Sequence, residues 1–278
     1  MKFLIATTRE DRSRDLLAEA GRKRDLDVTM LYYEDLDAGN LRGEDFSGYD
    51  YAILRDPFNT GTSFLLVLEK ILSFLPEDRI LDCSIIRDYM TFEDKLSQHR
   101  IFSDIARMPK FRHFSTPGEV RVDAFPVILK KRISSRGRGI YIIKTQEELE
   151  RFLSEHDIDD FLIEDIIDID KDIRVLMIGR EVAGAVYRRV RTKDNHGYEG
   201  IGVKVMGGFD VPEDIRKKAA EISEKTGSDF CGLDFAIDKS GSAWLMECNV
   251  SPQFVAFENA MKSDAAGRLI DFILSKKG

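Results

Sequence analysis

A chain of 278 residues with a net charge of −8 is long enough for two or three packed modules and too acidic for nonspecific attachment to nucleic acid or an anionic membrane. Hydrophobic residues make up 43% and charged residues 33%, a globular balance, and no run approaches the roughly 18–20 apolar residues that cross a bilayer. Three cysteines, Cys83, Cys231 and Cys248, form no CxxC pair, so reduced thiols and a cytoplasmic location are expected.

The apolar opening Phe3–Ala6 is too short for the core of a signal peptide and reads as a first strand. A polar-faced helix is predicted over Arg12–Arg24, followed by strands at Val28–Tyr33 and Tyr51–Leu54. A helix over Phe64–Leu75 and a fourth strand at Arg79–Cys83 complete residues 1–90. Strands alternating with helices build a parallel sheet, so this part reads as a small, open α/β domain. Thr91 suits the N-cap of a helix reaching Ala106, with Asp94 at its third position.

Strands at Lys110–Phe114, Phe125–Lys131 and Ile140–Lys144, and an amphipathic helix over Gln146–His156, fill a second unit, 91–160. The third unit, 161–278, carries strands at Phe161–Ile167, Ile173–Ile178, Val182–Tyr187, Phe230–Ile237 and Ala243–Asn249. Its helices fall near Glu213–Lys225 and Ser263–Lys276. The polar, glycine-bearing Arg191–Gly202 is expected to be a mobile loop.

Three constellations carry chemistry. In FCGLDFAID and WLMECNVSPQ, alternation puts Asp234 on a face with Gly232 and Ala236, and Glu247 on a face with Asn249. A short DKSGS connection makes the two strands antiparallel neighbours, so two carboxylates and an amide oxygen can converge. That all-oxygen set suits Mg²⁺ carrying nucleotide phosphates, although a solvated sheet face would space acids in the same way. The same arithmetic sends Met246, Cys248 and Cys231 to the opposite side.

The second constellation, PVILKKRISSRGRGIYII, sets Lys130 ahead of a Ser/Gly turn whose backbone N–H groups could wrap phosphate, or which could be an ordinary hairpin tip. The third, FLIEDIIDIDKDIRVLMIG, offers an apolar segment for a purine and carboxylates for a ribose. In it Asp172 and Arg174 share a face and could simply pair. No histidine pair has metal-ligand spacing, and there is no nucleophile elbow or hydrolase triad.

The ordered series DK (94–95), VILKK (127–131), SSRGRGI (134–140), LIEDII (162–167), DIRV (172–175), YRR (187–189), GLDFAID (232–238) and MECNVSP (246–252) resembles the ATP-grasp superfamily, and within it the RimK-like carboxylate–amine ligases. The resemblance implies an α/β chain (α+β in the nucleotide-binding part), in which a small parallel α/β domain precedes a two-part ATP-grasp fold. It implies that Lys95 and Lys130 contact ATP phosphates and that Ser134, Ser135, Arg136, Gly137, Arg138 and Gly139 form a lid loop. Glu164, Asp165 and Ile167 become the adenine and ribose hinge, and Asp172 a further nucleotide contact. Asp234, Glu247 and Asn249 become the ligands of two Mg²⁺ ions, with Mn²⁺ as a substitute, and Arg189 a phosphate-facing arginine near the reacting carboxylate.

The implied reaction joins the carboxylate of an amino acid, peptide or similar small acid to an amine through an acylphosphate. The alternatives are a kinase without an amine acceptor and a nucleotide-binding regulatory module without turnover. No nucleic acid or membrane partner is expected, and a homo-oligomer is allowed. The chain departs from the family pattern at three places, one being Phe254, Phe257 and Glu258, which make the end after Asn249 bulkier and different in charge. The Arg-x-Asn element before a GG pair is missing ahead of Gly207–Gly208, leaving Arg191 or Lys204 to replace its arginine. The family's N-x-S-P-G reads Asn249-Val250-Ser251-Pro252-Gln253, with glutamine in place of the last glycine.

Overall fold

The computed structural model describes residues 1–36, 46–56, 63–134 and 139–276. Strands β1 (Lys2–Thr7), β2 (Asp27–Tyr32) and β3 (Tyr51–Leu54) form a parallel sheet in the order β2-β1-β3. Both faces of β1 and β3 are covered. Leu4, Ala6, Ala52 and Leu54 enter one core, and Phe3, Ile5, Tyr51 and Ile53 enter another beneath helix α1 (Arg14–Arg22). Such strands read as continuous apolar runs, which is why they were legible. Helix α2 (Ser63–Leu72) follows.

The expected fourth strand does not form. Arg79 lies in a short 3₁₀ turn, Ile80 makes one isolated bridge to Ala52, and Cys83 opens α3 (Cys83–Arg87). Asp82 interrupts the extended run by taking the left-handed conformation (φ 51°). Its carboxylate accepts from Asp229 N at 2.6 Å, Ser228 Oγ at 2.9 Å and Phe230 N at 3.0 Å.

The helix expected from Thr91 is likewise two helices, α4 (Tyr89–Glu93) and α5 (Lys95–Phe102). Thr91 lies inside α4, and the cap is Asp94, which is extended and accepts from Leu96 N at 3.1 Å. The Arg132 guanidinium clamps Asp94 at 2.8 and 3.1 Å while Lys95 N donates to Arg132 O, and this tertiary hold breaks the helical run.

The remaining strands are β4 (Phe111–His113), β5 (Val127–Lys131), β6 (Ile140–Ile143), β7 (Phe161–Asp165), β8 (Ile169–Ile178), β9 (Glu181–Asn195), β10 (Tyr198–Gly208), β11 (Phe230–Asp238) and β12 (Ala243–Asn249). They form one antiparallel sheet in the order β12-β11-β8-β9-β10-β6-β5-β7-β4. Helix α6 (Gln146–Glu155) covers β5–β7 through Leu149 and Phe152, and α7 (Glu213–Thr226) packs on β8 and β9. Helix α8 (Val255–Met261), which the sequence pattern did not suggest, and α9 (Ala265–Ser275) close the chain, and α9 packs on α1. None of the described helices is long and apolar enough to cross a membrane.

Arg191–Gly202 is not a loop. It belongs to the β9–β10 ribbon, with Arg191 opposite Gly202 and Lys193 opposite Gly200. The ribbon is held to β6 by Asn195 Nδ2 donating to Ile140 O at 2.8 Å. Gly200 is required there, because a Cβ would stand 2.9 Å from that carbonyl oxygen.

Candidate active site

A cavity of about 730 Å³ opens between the faces of β5–β6, β8–β9 and β11–β12. One wall is apolar: Ile128 and Ile142, a cross-strand pair on β5 and β6, face it with Ile140, Ile166, Ile167, Ile169 and Met246. A flat aromatic ring suits this slot. Met246 reaches the slot because the β11–β12 register slips after the Asp234–Glu247 pair, so that Phe235 meets Leu245 and Met246 is the extra residue. Strict alternation had sent it to the other side. Cys231 and Cys248 do face away, into the core.

Asp234 and Glu247 stand directly opposite each other, and Asn249 lies opposite Gly232. Asp234 is buried and receives Arg174 through Nε and Nη2, both at 2.7 Å, and Arg188 Nη1 at 3.1 Å. Burial alone would raise its pKa, but the two guanidiniums more than offset this and hold it below the usual carboxylate range. Arg188 Nε also donates to Asp172, whose pKa is raised by burial and by neighbouring Asp234. Arg174 thus pairs with Asp234 on β11 rather than with Asp172 on its own strand, and Arg188 on β9 bridges Asp172 and Asp234.

Glu247 Oε1 accepts Lys95 Nζ at 3.0 Å. The Asn249 amide nitrogen is buried and makes no hydrogen bond. No group of three His, Cys, Asp or Glu among the described residues could hold a metal ion, so the third donor would be the Asn249 amide. The donor set itself, two facing carboxylates and an amide oxygen, is the all-oxygen kind that suits a hard divalent cation.

The two lysines are buried in the cavity wall. Lys95 is 6% exposed, and its Nζ lies 3.4 Å from Ser134 Oγ; burial disfavours its charge, but Glu247 outweighs this and raises its pKa. Lys130 Nζ lies 2.6 Å from Glu164 Oε2. Glu164 also meets His99 Nε2 at 3.2 Å, and its pKa is lowered because Lys130 and His99 overcome the cost of burial. Glu164 therefore faces Lys130 rather than standing open to a ribose. Asp165, also at the cavity, is bonded to Arg112 at 2.9 Å.

Two expected residues lie elsewhere. Arg189 and Lys204 are exposed, cross-strand neighbours outside the cavity lining. Alternation on β9 turns the adjacent Arg188 inward instead. Arg191 and Lys193 line the cavity, while Gly139 does not. Ser135, Arg136, Gly137 and Arg138 lie outside the described residues. The sequence reading missed Arg174 and Arg188 as partners of Asp234, and also His99, Glu93 and Asp56; the arginines' positions on alternating strands carried the signal, once the register was known.

Residues 117–273, more than half of the chain, match the RimK-like ATP-grasp domain. The chain belongs to the RimK-like ATP-grasp family. This ATP-grasp chain is 28% identical over 204 residues to human N-acetylaspartylglutamate synthase A, covering 70% of this chain and 50% of that protein. It spans about half the length of the human and mouse synthases. The fold of the macrocyclase MdnC from Microcystis aeruginosa, solved with its precursor peptide, matches at a TM-score of 0.75 and 14% identity, covering 99% of this chain and 100% of that one. D-alanine–D-alanine ligase from Bacillus anthracis matches at 0.69 and 14%, covering 99% and 97%. In this ATP-grasp chain, Lys95, Lys130, Glu164, Asp172, Asp234, Glu247 and Asn249 all face one cavity.

Proposed function

We propose that this chain is an ATP-dependent carboxylate–amine ligase acting on an amino acid, peptide or similar small acid. The observation that carries the reading is the one cavity in which two buried lysines, two inward arginines and a carboxylate–carboxylate–amide set meet beside an isoleucine-lined slot. When bound, Mg²⁺–ATP would supply the phosphoryl group that turns the donor carboxylate into an acylphosphate, from which an amine nitrogen displaces phosphate.

In this reading Asp234, Glu247 and Asn249 hold the cation, two ions per site, with Mn²⁺ able to replace Mg²⁺. Lys95 and Lys130 pre-position charge for the phosphates, and their partner acids, the part-exposed Glu247 and the buried Glu164, keep them ionised and aimed before a ligand arrives. Ser134 stands at that end, its Oγ 3.4 Å from Lys95 Nζ. Asp165 and Ile167 meet the ribose and base. Arg188 and Arg191 attract the donor carboxylate, replacing Arg189 and Lys204 in that role. Residues 1–90, 91–160 and 161–278 serve as substrate-facing, covering and metal-binding parts, and the buried free cysteines suit a cytoplasmic protein.

The test is a screen of amino acids and short peptides for carboxylate-dependent ADP release, with hydroxylamine trapping the acylphosphate as a hydroxamate. The expected amide product has the summed mass of acid and amine less one water. ADP release with no condensation product in any acceptor screen would make the chain a kinase, and carboxylate-independent behaviour throughout would remove the ligase reading.

A further inference from the structure

The turn after β12, Ser251-Pro252-Gln253, lines the cavity yet is tied to the C-terminal ends of β1 and β3. Asp56 N donates to Ser251 Oγ at 3.0 Å, and Arg55 Nη2 donates to Pro252 O at 2.9 Å. Gln253 uses both ends of its amide: Nε2 donates to Asp11 Oδ1 at 2.8 Å, and Oε1 accepts from Ser13 Oγ at 3.2 Å. Phe254 N then donates to Ser13 Oγ at 3.0 Å. Asp11 and Ser13 have no exposed surface, and Arg55 is fixed to Asp11 at 2.9 Å. From the other side, Pro252 packs so closely on Gly232 that a Cβ there would stand 2.9 Å from it.

A long, flexible side chain is therefore held at a cavity wall by two wholly buried partners. The family pattern's glycine at this position would leave the wall open and Asp11 one donor short. The wall also has a chemical address. Arg188, Arg191 and Lys193, which suit a donor carboxylate, sit on β9, three places along the sheet from β12. Beside Gln253 the cavity is lined by Asp56 and Ser251, and the neighbouring Arg55 is committed to Asp11 and Pro252. An amine belongs at such an end, and a carboxylate does not.

We propose that Gln253, held by Asp11 and Ser13, limits the size of the amine acceptor, admitting a small primary amine and excluding a bulky one. The inference rests on the ligase reading. With a donor found by hydroxamate formation, kcat/KM is measured for hydroxylamine and for O-benzylhydroxylamine in the wild type, Gln253→Gly and Ser13→Ala. The wild type should favour the smaller nucleophile by about tenfold or more, the scale of discrimination against extra bulk in a fixed pocket. Gln253→Gly should remove most of that preference with the KM for ATP unchanged. Ser13→Ala lies outside the cavity lining and should shift the ratio the same way, by less.

Equal use of both nucleophiles by the wild type overturns the proposal, as does an unmoved ratio in Gln253→Gly or a loss that follows the KM for ATP. If no carboxylate yields hydroxamate or ADP, the ligase reading fails separately. The size limit is then read by saturation-transfer NMR on the Mg–ADP-loaded chain with ethylamine and benzylamine. Contact with ethylamine alone in the wild type, and with both in Gln253→Gly, upholds it; any other pattern overturns it.

Discussion

Glu93 gives the sharpest thermodynamic test. It is 2% exposed at the cavity wall, and Oε1 accepts from Val250 N at 3.3 Å. Burial, and then the charge of Glu247, push its pKa up to about 8 from an ordinary 4.5. The sign follows from linkage. Below the unfolded value both states are protonated and nothing is lost. As pH rises toward the folded value, only the unfolded chain gives up the proton, so folding weakens. Each pH unit in that window is worth about 1.4 kcal/mol, so between pH 5 and 8 the loss has a ceiling of about 4 kcal/mol.

Glu93→Gln keeps the shape and the acceptor for Val250 N without the proton. Urea unfolding of the metal-free protein at pH 5, 6, 7 and 8, wild type against variant, cancels every other titrating group common to both. The variant should gain on the wild type steadily as pH rises. A difference that stays constant across the four pH values would refute the burial argument.

Glu247→Gln should abolish Mg²⁺-dependent ADP release and lower Tm, since it takes from the buried Lys95 the acid that keeps it ionised; retained turnover would remove the metal assignment. Asp234→Asn is a harsher change. It leaves the buried Arg174 without its counter-charge and Arg188 with Asp172 alone, and should cost about 3 kcal/mol or more in addition to activity, read by urea unfolding. Lys130→Ala should weaken ATP binding in calorimetry and lower Tm by stranding Glu164; adding Glu164→Gln should restore Tm without restoring affinity, and unchanged affinity in the single variant would sink the phosphate role. Arg188→Met should lower kcat by about a hundredfold, on the scale of one lost electrostatic contact, while Arg189→Ala leaves it close to wild type; the reverse order would return the role to Arg189.

Much of this was legible because the relevant physics is local. The parallel strands of the first sheet are apolar runs, and the period of two along Phe230–Asp238 and Ala243–Asn249 predicted the facing of Asp234, Glu247 and Asn249. The failures are cases where a partner far along the chain decided the outcome. Met246 turned inward through a bulge that only pairing creates. Arg174 chose Asp234, 60 residues away, over Asp172 on its own strand. Asp94 became a cap because Arg132 holds it, and Gly200 and Gly202, which look like loop residues, are strand residues, Gly200 selected by close neighbours at 2.8 and 2.9 Å.

Asp82, which broke the expected fourth strand, also acts at a distance. Its carboxylate grips the first turn of chain entering β11, at Ser228, Asp229 and Phe230. Asp234 lies four residues beyond that grip, an even step along the strand. Were β11 to slide by one position, Asp234 would swing into the hydrocarbon interior and Leu233 or Phe235 would arrive where the acid had been. A single side chain in the first part of the molecule thus acts as the phase reference for the strand that carries the acid, and chemistry at Asp234 depends on a count that begins at Asp82.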